Sequence, residues 1–149
     1  MPTIAQVKSN IDKLDLAREG MAVVADMKPE FIRLNKEQLL EGRVKDGGKF
    51  QERYKSPSYA EYKYRRNPIP GKFVPDLYNT GAFFDGFKLD ILSKESYEID
   101  STDKKASMLK AKYGKVVKFF GLNADSREEL IKNGYHDELM DRVRRVTKL

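Results

Sequence analysis

Cysteine is absent from the 149-residue sequence, and histidine occurs only once, at His136. The lack of cysteine excludes a disulfide scaffold, a cysteine-ligated metal site and catalysis by a thiol. With a single histidine, neither a Ser-His-Asp triad nor a zinc site can be built in the usual way. His136 lies beside Asp137 and Glu138, a polar context that is typical of an inert surface histidine.

Long apolar runs are also missing. No run approaches the roughly 18–20 residues of a membrane-spanning helix, and the first ten residues lack the apolar centre of a signal peptide. We therefore expect the protein to remain in the compartment where it is made, without contact with a membrane. No glycine loop followed by GK[ST] is present to hold a phosphate. From these absences we expect no cofactor and no enzymatic activity.

Length and charge distribution define the organisation that we predict. A chain of 149 residues fits one domain, so we assign 1–149 to a single domain with three parts. The stretch between Gly42 and Pro75 holds nine lysines and arginines but three acidic residues, which accounts for the whole net charge of +6. A basic segment of this kind favours nucleic acid, acidic protein surfaces or membrane head groups as partners.

The first part, 1–45, is predicted to be helical. Thr3 and Gln6 have the spacing of a capping box. The apolar residues of the first predicted helix recur at helical spacing: Ile4, Val7, Ile11 and Leu14. A second apolar patch over 21–27 either continues this helix past Gly20 or forms a separate turn. A polar, amphipathic helix is predicted from Glu30 to about Glu41, ending at Gly42.

The second part, 46–75, is predicted to be an extended basic arm. It is rich in glycine and proline turn signals, and a loop of this length usually indicates function or disorder. Its tyrosines argue against simple disorder, so we expect it to become ordered against a partner, with a short helix over Ser58–Arg65. The predicted partner-binding residues are Arg53, Tyr54, Lys55, Tyr59, Tyr62, Lys63, Tyr64, Arg65 and Arg66.

The third part, 76–149, is predicted to be an α+β core. Alternating apolar residues over Phe87–Ile91 and Tyr97–Ile99 indicate a β-hairpin. A helix follows, capped by Ser101 or Thr102 and carrying Ala106, Leu109 and Tyr113 on its apolar face.

The compact apolar run Val116–Phe120 predicts a third strand. Ser126 and Glu129 have the spacing of a second capping box, and a last helix presents an apolar face of Leu139, Met140, Val143 and Val146. The predicted class is α+β: N-terminal helices, a small antiparallel sheet with a long arm, a helix packed on the sheet, and C-terminal helices.

Two alternative functions remain open. Pro75-Asp76 followed by Asp103-Lys104-Lys105 matches the short pattern of Mg²⁺-dependent nucleases, although an acidic residue at a helix start is equally explained by the helix dipole. The tyrosines, lysines and arginines of the arm can stack on bases and neutralise phosphates, as in a DNA-binding protein. The same residue types are also the favoured anchors of protein interfaces.

The segment 76–87, DLYNTGAFFDGF, is the most distinctive part of the chain. Asn79-Thr80-Gly81 is a turn signal, and we expect one or two of the phenylalanines Phe83, Phe84 and Phe87 to fill the core. Leu77 to Phe83 resembles the "L-x-x-T-G-x-L/F" entry to the first strand of the tail-completion and head–tail joining proteins of tailed bacteriophages. The predicted order downstream is similar too, and Phe120-Gly121-Leu122 resembles the "fGL" element of that family.

The resemblance covers roughly residues 50–149 and implies a structural virion protein, assembled in the host cytoplasm. Proteins of this family form rings at the neck or tail end of the phage. The expected partners are copies of the chain itself and adjacent neck, portal or tail proteins, with packaged DNA nearby.

Overall fold

A computed structural model describes residues 1–46, 54–66, 77–78, 80–113 and 118–149. Three helices come first: α1 (Ile4–Asp12), α2 (Leu16–Asp26) and α3 (Lys28–Leu40). They are followed by α4 (Pro57–Arg66), α5 (Ala82–Asp85), β1 (Phe87–Ile91) and β2 (Tyr97–Ser101). The remaining elements are α6 (Lys105–Tyr113), α7 (Ala124–Leu130), a connecting turn (Ile131–Tyr135) that is kinked at Gly134 with φ +121°, and α8 (His136–Thr147). The architecture is α+β, with helices on both sides of a small antiparallel sheet in the sequence, as predicted.

The N-terminal helices begin and end where their local sequence directs. The Thr3 hydroxyl accepts from the Gln6 N–H at 3.3 Å, and Gln6 Oε1 accepts from the Thr3 N–H at 2.8 Å, which confirms the capping box. Helix α2 runs through Gly20, so the second apolar patch belongs to a separate helix that begins after Asp15. Helix α3 ends two residues before Gly42, whose N–H donates to the Leu39 carbonyl at 2.9 Å.

The hairpin confirms the alternation read from the sequence. Strands β1 and β2 are antiparallel, with Leu89 opposite Ile99 and Ile91 opposite Tyr97. Leu89 and Ile99 are buried, while Lys88, between the buried positions of β1, is exposed. Because successive side chains of a strand point to opposite faces, this register turns one face of the hairpin toward the core.

The core forms where α3 packs on β1 and α5 packs on β2. The Phe31 ring of α3 meets the Tyr97 ring edge to face at 5.3 Å between centroids. Phe83, Phe84 and Phe87 are all buried, more than the one or two expected. The buried cluster comprises Val24, Phe31, Leu34, Leu39, Val44, Phe83, Phe84, Phe87, Leu89, Ile99, Ala106, Phe119, Leu122 and Leu130.

The C-terminal helix α8 packs against α1 and α2. Leu139, Met140 and Val143 are half-buried there, as the predicted apolar face requires, whereas Val146 is exposed. Arg142 forms an ion pair with Asp26 of α2. Within the described ranges, no helix combines the length and the apolar character needed to cross a bilayer.

The predicted third strand, Val116–Phe120, is wrong for its described part. Residues 118–120 are not in a strand, and the sheet of the described residues contains only β1 and β2. Val116 and Val117 lie outside the described residues. Phe119 is nevertheless fully buried, so the described part of the run fills the core as irregular chain. The Phe119 carbonyl accepts from Asn35 Nδ2 of α3, and the Lys118 carbonyl accepts from the Lys45 N–H at 3.0 Å.

Two amide side chains of α3 hold this irregular chain, and we call them the amide clasp. Asn35 Nδ2 donates to the Phe119 carbonyl at 2.9 Å, and Asn35 Oδ1 accepts from the Gly121 N–H at 3.0 Å. Gln38 Nε2 donates to the Gly121 carbonyl at 2.6 Å, and Gln38 Oε1 accepts from the Asn123 N–H at 3.0 Å. Both amides are buried, so the clasp satisfies backbone groups that would otherwise be stranded away from water.

The clasp also sets the start of α7 and requires a glycine. Asn123 is the N-cap, accepting from the Ser126 N–H at 2.9 Å, so the predicted Ser126–Glu129 capping box is wrong. The Ser126 hydroxyl instead donates to Gln38 Oε1 at 3.1 Å. Gly121 has φ +116°, and a Cβ there would lie 2.9 Å from Lys45 Cδ, so a side chain at this position would be strained.

The first prediction concerns the hairpin. Leu89→Ala removes a side chain that is 3% exposed and should lower the free energy of unfolding by about 2–5 kcal/mol. Lys88→Ala, one residue away on the exposed face, should cost less than about 0.5 kcal/mol. Urea melts of both variants measure this, and equal losses at the two positions would contradict the assigned faces.

The second prediction concerns the amide clasp. Asn35→Ala removes two buried hydrogen bonds, one to the Phe119 carbonyl and one from the Gly121 N–H, and should destabilise the protein by about 2–4 kcal/mol. Glu37→Ala is the control in the same turn of α3, since it removes only an exposed ion pair with Arg33 and should cost below about 1 kcal/mol. A loss for Asn35→Ala no larger than that of the control would show that the clasp is dispensable.

Candidate functional site

The described part of the predicted arm, 54–66, consists mainly of α4, which corresponds to the short helix expected within the arm. The Ser56 carbonyl accepts from the Ala60 N–H at 3.0 Å, and its hydroxyl accepts from the Tyr59 N–H at 3.3 Å. Serine before Pro57 is a favourable start, because proline in the first helical turn has no N–H to leave unpaired. Helix α4 therefore exceeds the predicted Ser58–Arg65 by one residue at each end. Residues 47–53 and 67–76, including Arg53, lie outside the described residues.

The outer side of α4 carries a row of aromatic and cationic groups, which we call the tyrosine row. The rings of Tyr54 and Tyr59 meet edge to face at 5.1 Å, and those of Tyr59 and Tyr62 lie 6.2 Å apart. The Arg66 guanidinium lies 5.4 Å from the Tyr62 ring centroid and donates to the Tyr62 hydroxyl at 2.6 Å. Tyr59 is 44% and Tyr62 48% exposed, so the row is an ordered surface in contact with solvent.

The remaining predicted arm residues divide between solvent and interior. Lys55, Tyr64 and Arg65 are exposed, and Arg65 pairs with Glu61 at 3.2 Å. Lys63 is different, being only 5% exposed. Its position three residues after the fully buried Ala60 places it on the inner side of α4. Lysines are seldom this buried unless they are paired, and Lys63 borders the space beneath α4.

A cavity of about 290 Å³ lies at that point. Its described lining combines residues from α4, from the segment before α5, and from α6. The lining residues are Tyr54, Tyr59, Lys63, Leu77, Tyr78, Thr80, Gly81, Phe83, Lys105, Met108, Leu109 and Lys112. The cavity thus joins the two features that stand out in the sequence, the basic tyrosine-rich arm and the Leu77–Phe83 segment.

Thr80 and Gly81 form a tight entry to α5, and Asn79 of the predicted turn lies outside the described residues. Gly81 has φ +91°, and a Cβ there would lie 3.4 Å from the Tyr78 hydroxyl. This left-handed conformation favours glycine, so the Thr80-Gly81 turn signal has a physical basis. Phe83, immediately after it, touches the cavity on one side and the aromatic core on the other, with its ring 5.2 Å from that of Phe87.

Helix α6 supplies the opposite wall. Its start is capped by Asp103, whose Oδ1 accepts from the Lys105 N–H at 2.7 Å, and not by Ser101 or Thr102 as predicted. Lys110 Nζ ties the helix to β2 by donating to Asp100 Oδ2 at 2.8 Å. Burial raises the pKa of the Asp100 carboxyl, but the bonds from Lys110 and from the Ser101 N–H outweigh it and hold the pKa below its usual value.

The α6 wall is the part of the site that sequence reasoning missed. Lys105, Met108, Leu109 and Lys112 share one face of the helix because of their three- and four-residue spacing. That spacing was the available signal, although the predicted apolar face comprises only Ala106, Leu109 and Tyr113. Two lysines flanking an apolar pair are also common on ordinary surface helices, so the pattern alone did not indicate a site.

Of the two halves of the nuclease pattern, only Asp103-Lys104-Lys105 lies within the described residues. Asp103 caps α6, and Pro75 and Asp76 lie outside the described residues. Among the described residues, no group of three acidic, histidine or cysteine side chains has the arrangement of a metal site. His136 is exposed at the start of α8, 3.3 Å from the Asp137 carboxylate.

Comparison with protein-family models, with curated proteins and with solved structures returns no match to this chain.

The third prediction follows from the depressed pKa of Asp100. A carboxyl whose pKa is lower in the folded state contributes stability above its ordinary pKa, about pH 4, and loses it as the pH falls through the folded value. Asp100→Asn should therefore be less stable than wild type at pH 7, and the difference should shrink below about pH 4. Thermal melts across pH 2–7 measure this.

Asp90→Asn is the matched control on the neighbouring strand. Its pair with Lys88, at 2.7 Å, is about half exposed on both sides, so its loss should change stability little at either pH. A stability difference for Asp100→Asn that stays constant over the whole pH range would contradict the assigned role of the Lys110–Asp100 pair.

Proposed function

We propose that this chain is a structural virion protein that forms an oligomeric ring at the neck or tail end of a tailed phage. It joins head and tail through protein–protein contacts. The sequence resemblance to tail-completion and head–tail joining proteins supports this proposal, and the surface of α4 supplies the contact region. Copies of the chain and adjacent neck, portal or tail proteins are the partners.

The observation that carries the proposal is the tyrosine row. Tyrosine and arginine are enriched at the energetic centres of protein interfaces. Here Tyr59, Tyr62 and Arg66 of α4, with Tyr54 just before the helix, contact one another in a row. Side chains that are already ordered lose less conformational freedom on binding. The row is therefore preorganised for contact with another protein.

The charge around the row fits an acidic counterpart. Arg65 and Arg66 lie in the last turn of α4, where cations are also favoured by the helix dipole. The only acidic residue of α4 is Glu61, which Arg65 already engages. The helix therefore presents excess positive charge beside its aromatic row, a combination that suits acidic subunit surfaces.

The fourth prediction tests this role with a double variant. Arg65→Ala with Arg66→Ala, supplied as the sole copy of the protein during infection, should block the assembly of tailed particles while the purified chain stays folded. Truncating one partner of a buried charged contact typically costs about 2–5 kcal/mol of binding free energy. The variant should therefore weaken association between subunits and leave the fold of the single chain intact. Electron microscopy of the particles and circular dichroism of the purified variant measure the two effects.

Arg144→Ala with Arg145→Ala is the matched control, because these two exposed arginines lie in the last turn of α8. It should leave assembly unchanged. Complete, DNA-filled, tailed particles from the α4 variant would count against the interface role. If that variant instead lowered the salt dependence of DNA binding by about 0.9 per lost phosphate contact, the DNA-binding function would replace the present proposal.

A further inference from the structure

The outer edge of β2 has backbone groups without a partner among the described residues. At one end of the hairpin, the Thr102 N–H donates to the Gly86 carbonyl at 2.9 Å. At the other end, the Leu92 N–H donates to the Ser96 carbonyl at 3.0 Å. Bonded and unbonded pairs alternate along an antiparallel ladder, so the N–H and the carbonyl of Ile99 point away from β1. No hydrogen bond reaches either group from the described parts of the chain.

The position of Ile99 makes these unpaired groups unusual. The residue is only 3% exposed, so little water reaches its backbone. A buried N–H or carbonyl without a partner costs free energy, and roughly 90% or more of such groups in native proteins are hydrogen-bonded. Leu89 has the same orientation on the edge of β1, but α3 packs on that strand. The edge of β2 instead borders an open space.

This space is a groove of about 510 Å³, which we call the edge groove. One wall is the stretch of β2 and its turn from Ser96 to Ile99, and the opposite wall is the backbone of 120–122. No hydrogen bond between described residues joins the two walls. The amide clasp fixes the second wall, because Asn35 and Gln38 bond to the N–H and the carbonyl of Gly121. The groove is therefore held open by packed elements.

We propose that the edge groove binds an extended segment of another protein chain, which adds a third strand to the sheet beside β2. The backbone of this segment pairs with the N–H and the carbonyl of Ile99, and its alternate side chains rest against Phe120 and Leu122. The wall from Ser96 to Ile99 is about 10 Å long, enough for three or four residues. Added strands take their affinity from main-chain hydrogen bonds and their selectivity from the pockets for alternate side chains.

The lining favours a peptide over a small ion. Its charged residues carry both signs: Lys45, Lys110, Arg127, Glu95 and Glu98. An ion of either sign meets charges that repel it, whereas a peptide backbone is neutral and uses the unpaired groups. The segment is not β2 of a second copy, since pairing centred on Ile99 would place Glu98 of one copy opposite Asp100 of the other, and like charges directly opposite are destabilising.

The inference is independent of the interface on α4, because the edge groove shares no residue with the tyrosine row. Normal particle assembly by the Arg65/Arg66 variant would end the proposed function and leave the edge groove untouched.

The site is tested by NMR on the ¹⁵N-labelled full chain with the peptide acetyl-Thr-Val-Thr-Val-Thr-amide. We expect saturable amide shifts at Tyr97, Ile99 and Gly121, with a dissociation constant of about 1 mM or tighter. Two isomers carry two N-methyl groups each, one on both valines and the other on the central and last threonines. An added strand turns alternate N–H groups toward its neighbour, so only one isomer should bind at least about tenfold more weakly than the parent peptide.

Hydrogen exchange checks the pairing at β2 directly. Saturating parent peptide should slow the exchange of the Ile99 N–H at least about tenfold, because this group gains a partner. The Glu98 N–H is the internal control. It already lies in the ladder opposite Asp90, so its exchange should change by less than about twofold.

Lys45→Trp should weaken binding of the parent peptide at least about fivefold, because the larger side chain lies over Gly121 and narrows the edge groove. Lys118→Trp is the matched control, since Lys118 is exposed, its carbonyl bonds to the Lys45 N–H, and it does not line the edge groove. Amide spectra without peptide report whether each variant is folded, and the isomer comparison on the wild-type chain stands in either case.

Equal affinities of the two methylated isomers would assign the edge groove to apolar contacts and overturn strand addition. The same conclusion follows from unchanged exchange at Ile99, from an equal loss in Lys118→Trp, or from the absence of a saturable shift with the parent peptide.

Discussion

The amide clasp is the constraint on which the described fold depends. A two-stranded hairpin has too few neighbours to be stable by itself, and its buried face must be covered by other elements. Helix α3 covers it, and through Asn35 and Gln38 it also fixes the backbone from Phe119 to Asn123. This backbone segment places Phe119 and Leu122 in the core, and its Asn123 is the N-cap of α7. Two side chains thereby join the N-terminal helices, the hairpin and the C-terminal helices into one body.

The candidate site is built on this body through aromatic contacts. Phe120 meets the rings of Phe83 and Phe87 at 5.9 and 5.3 Å, and Phe83 continues into the wall of the cavity beneath α4. Lys110 both ties α6 to Asp100 and lies 5.1 Å from the Phe120 ring. The α5 and α6 walls of the cavity are therefore extensions of the core. A site positioned by packed elements keeps its shape better than one formed by loops alone.

Local signals predicted much of the fold because they act within a few residues. The Thr3–Gln6 box, the helix end at Gly42 and the alternation around Leu89 all follow from near neighbours. The third strand and the cap of α7 failed because Gln38, more than eighty residues away in sequence, decides the backbone path there. The same division holds for the site. Composition identified the tyrosines and cations of α4, but the burial of Lys63 and the contribution of α6 depend on packing across the chain.

The proposed function requires that the tyrosine row of α4 contacts another virion protein. The most direct measurement is photo-crosslinking from a benzophenone amino acid placed at Tyr62 during particle assembly, with Leu92, exposed on the hairpin turn, as the comparison position. We expect a covalent adduct between position 62 and a neck, portal or tail protein, or a second copy of the chain, and none from position 92. A position 62 that crosslinks only to DNA, or to nothing in particles that are complete, would contradict it.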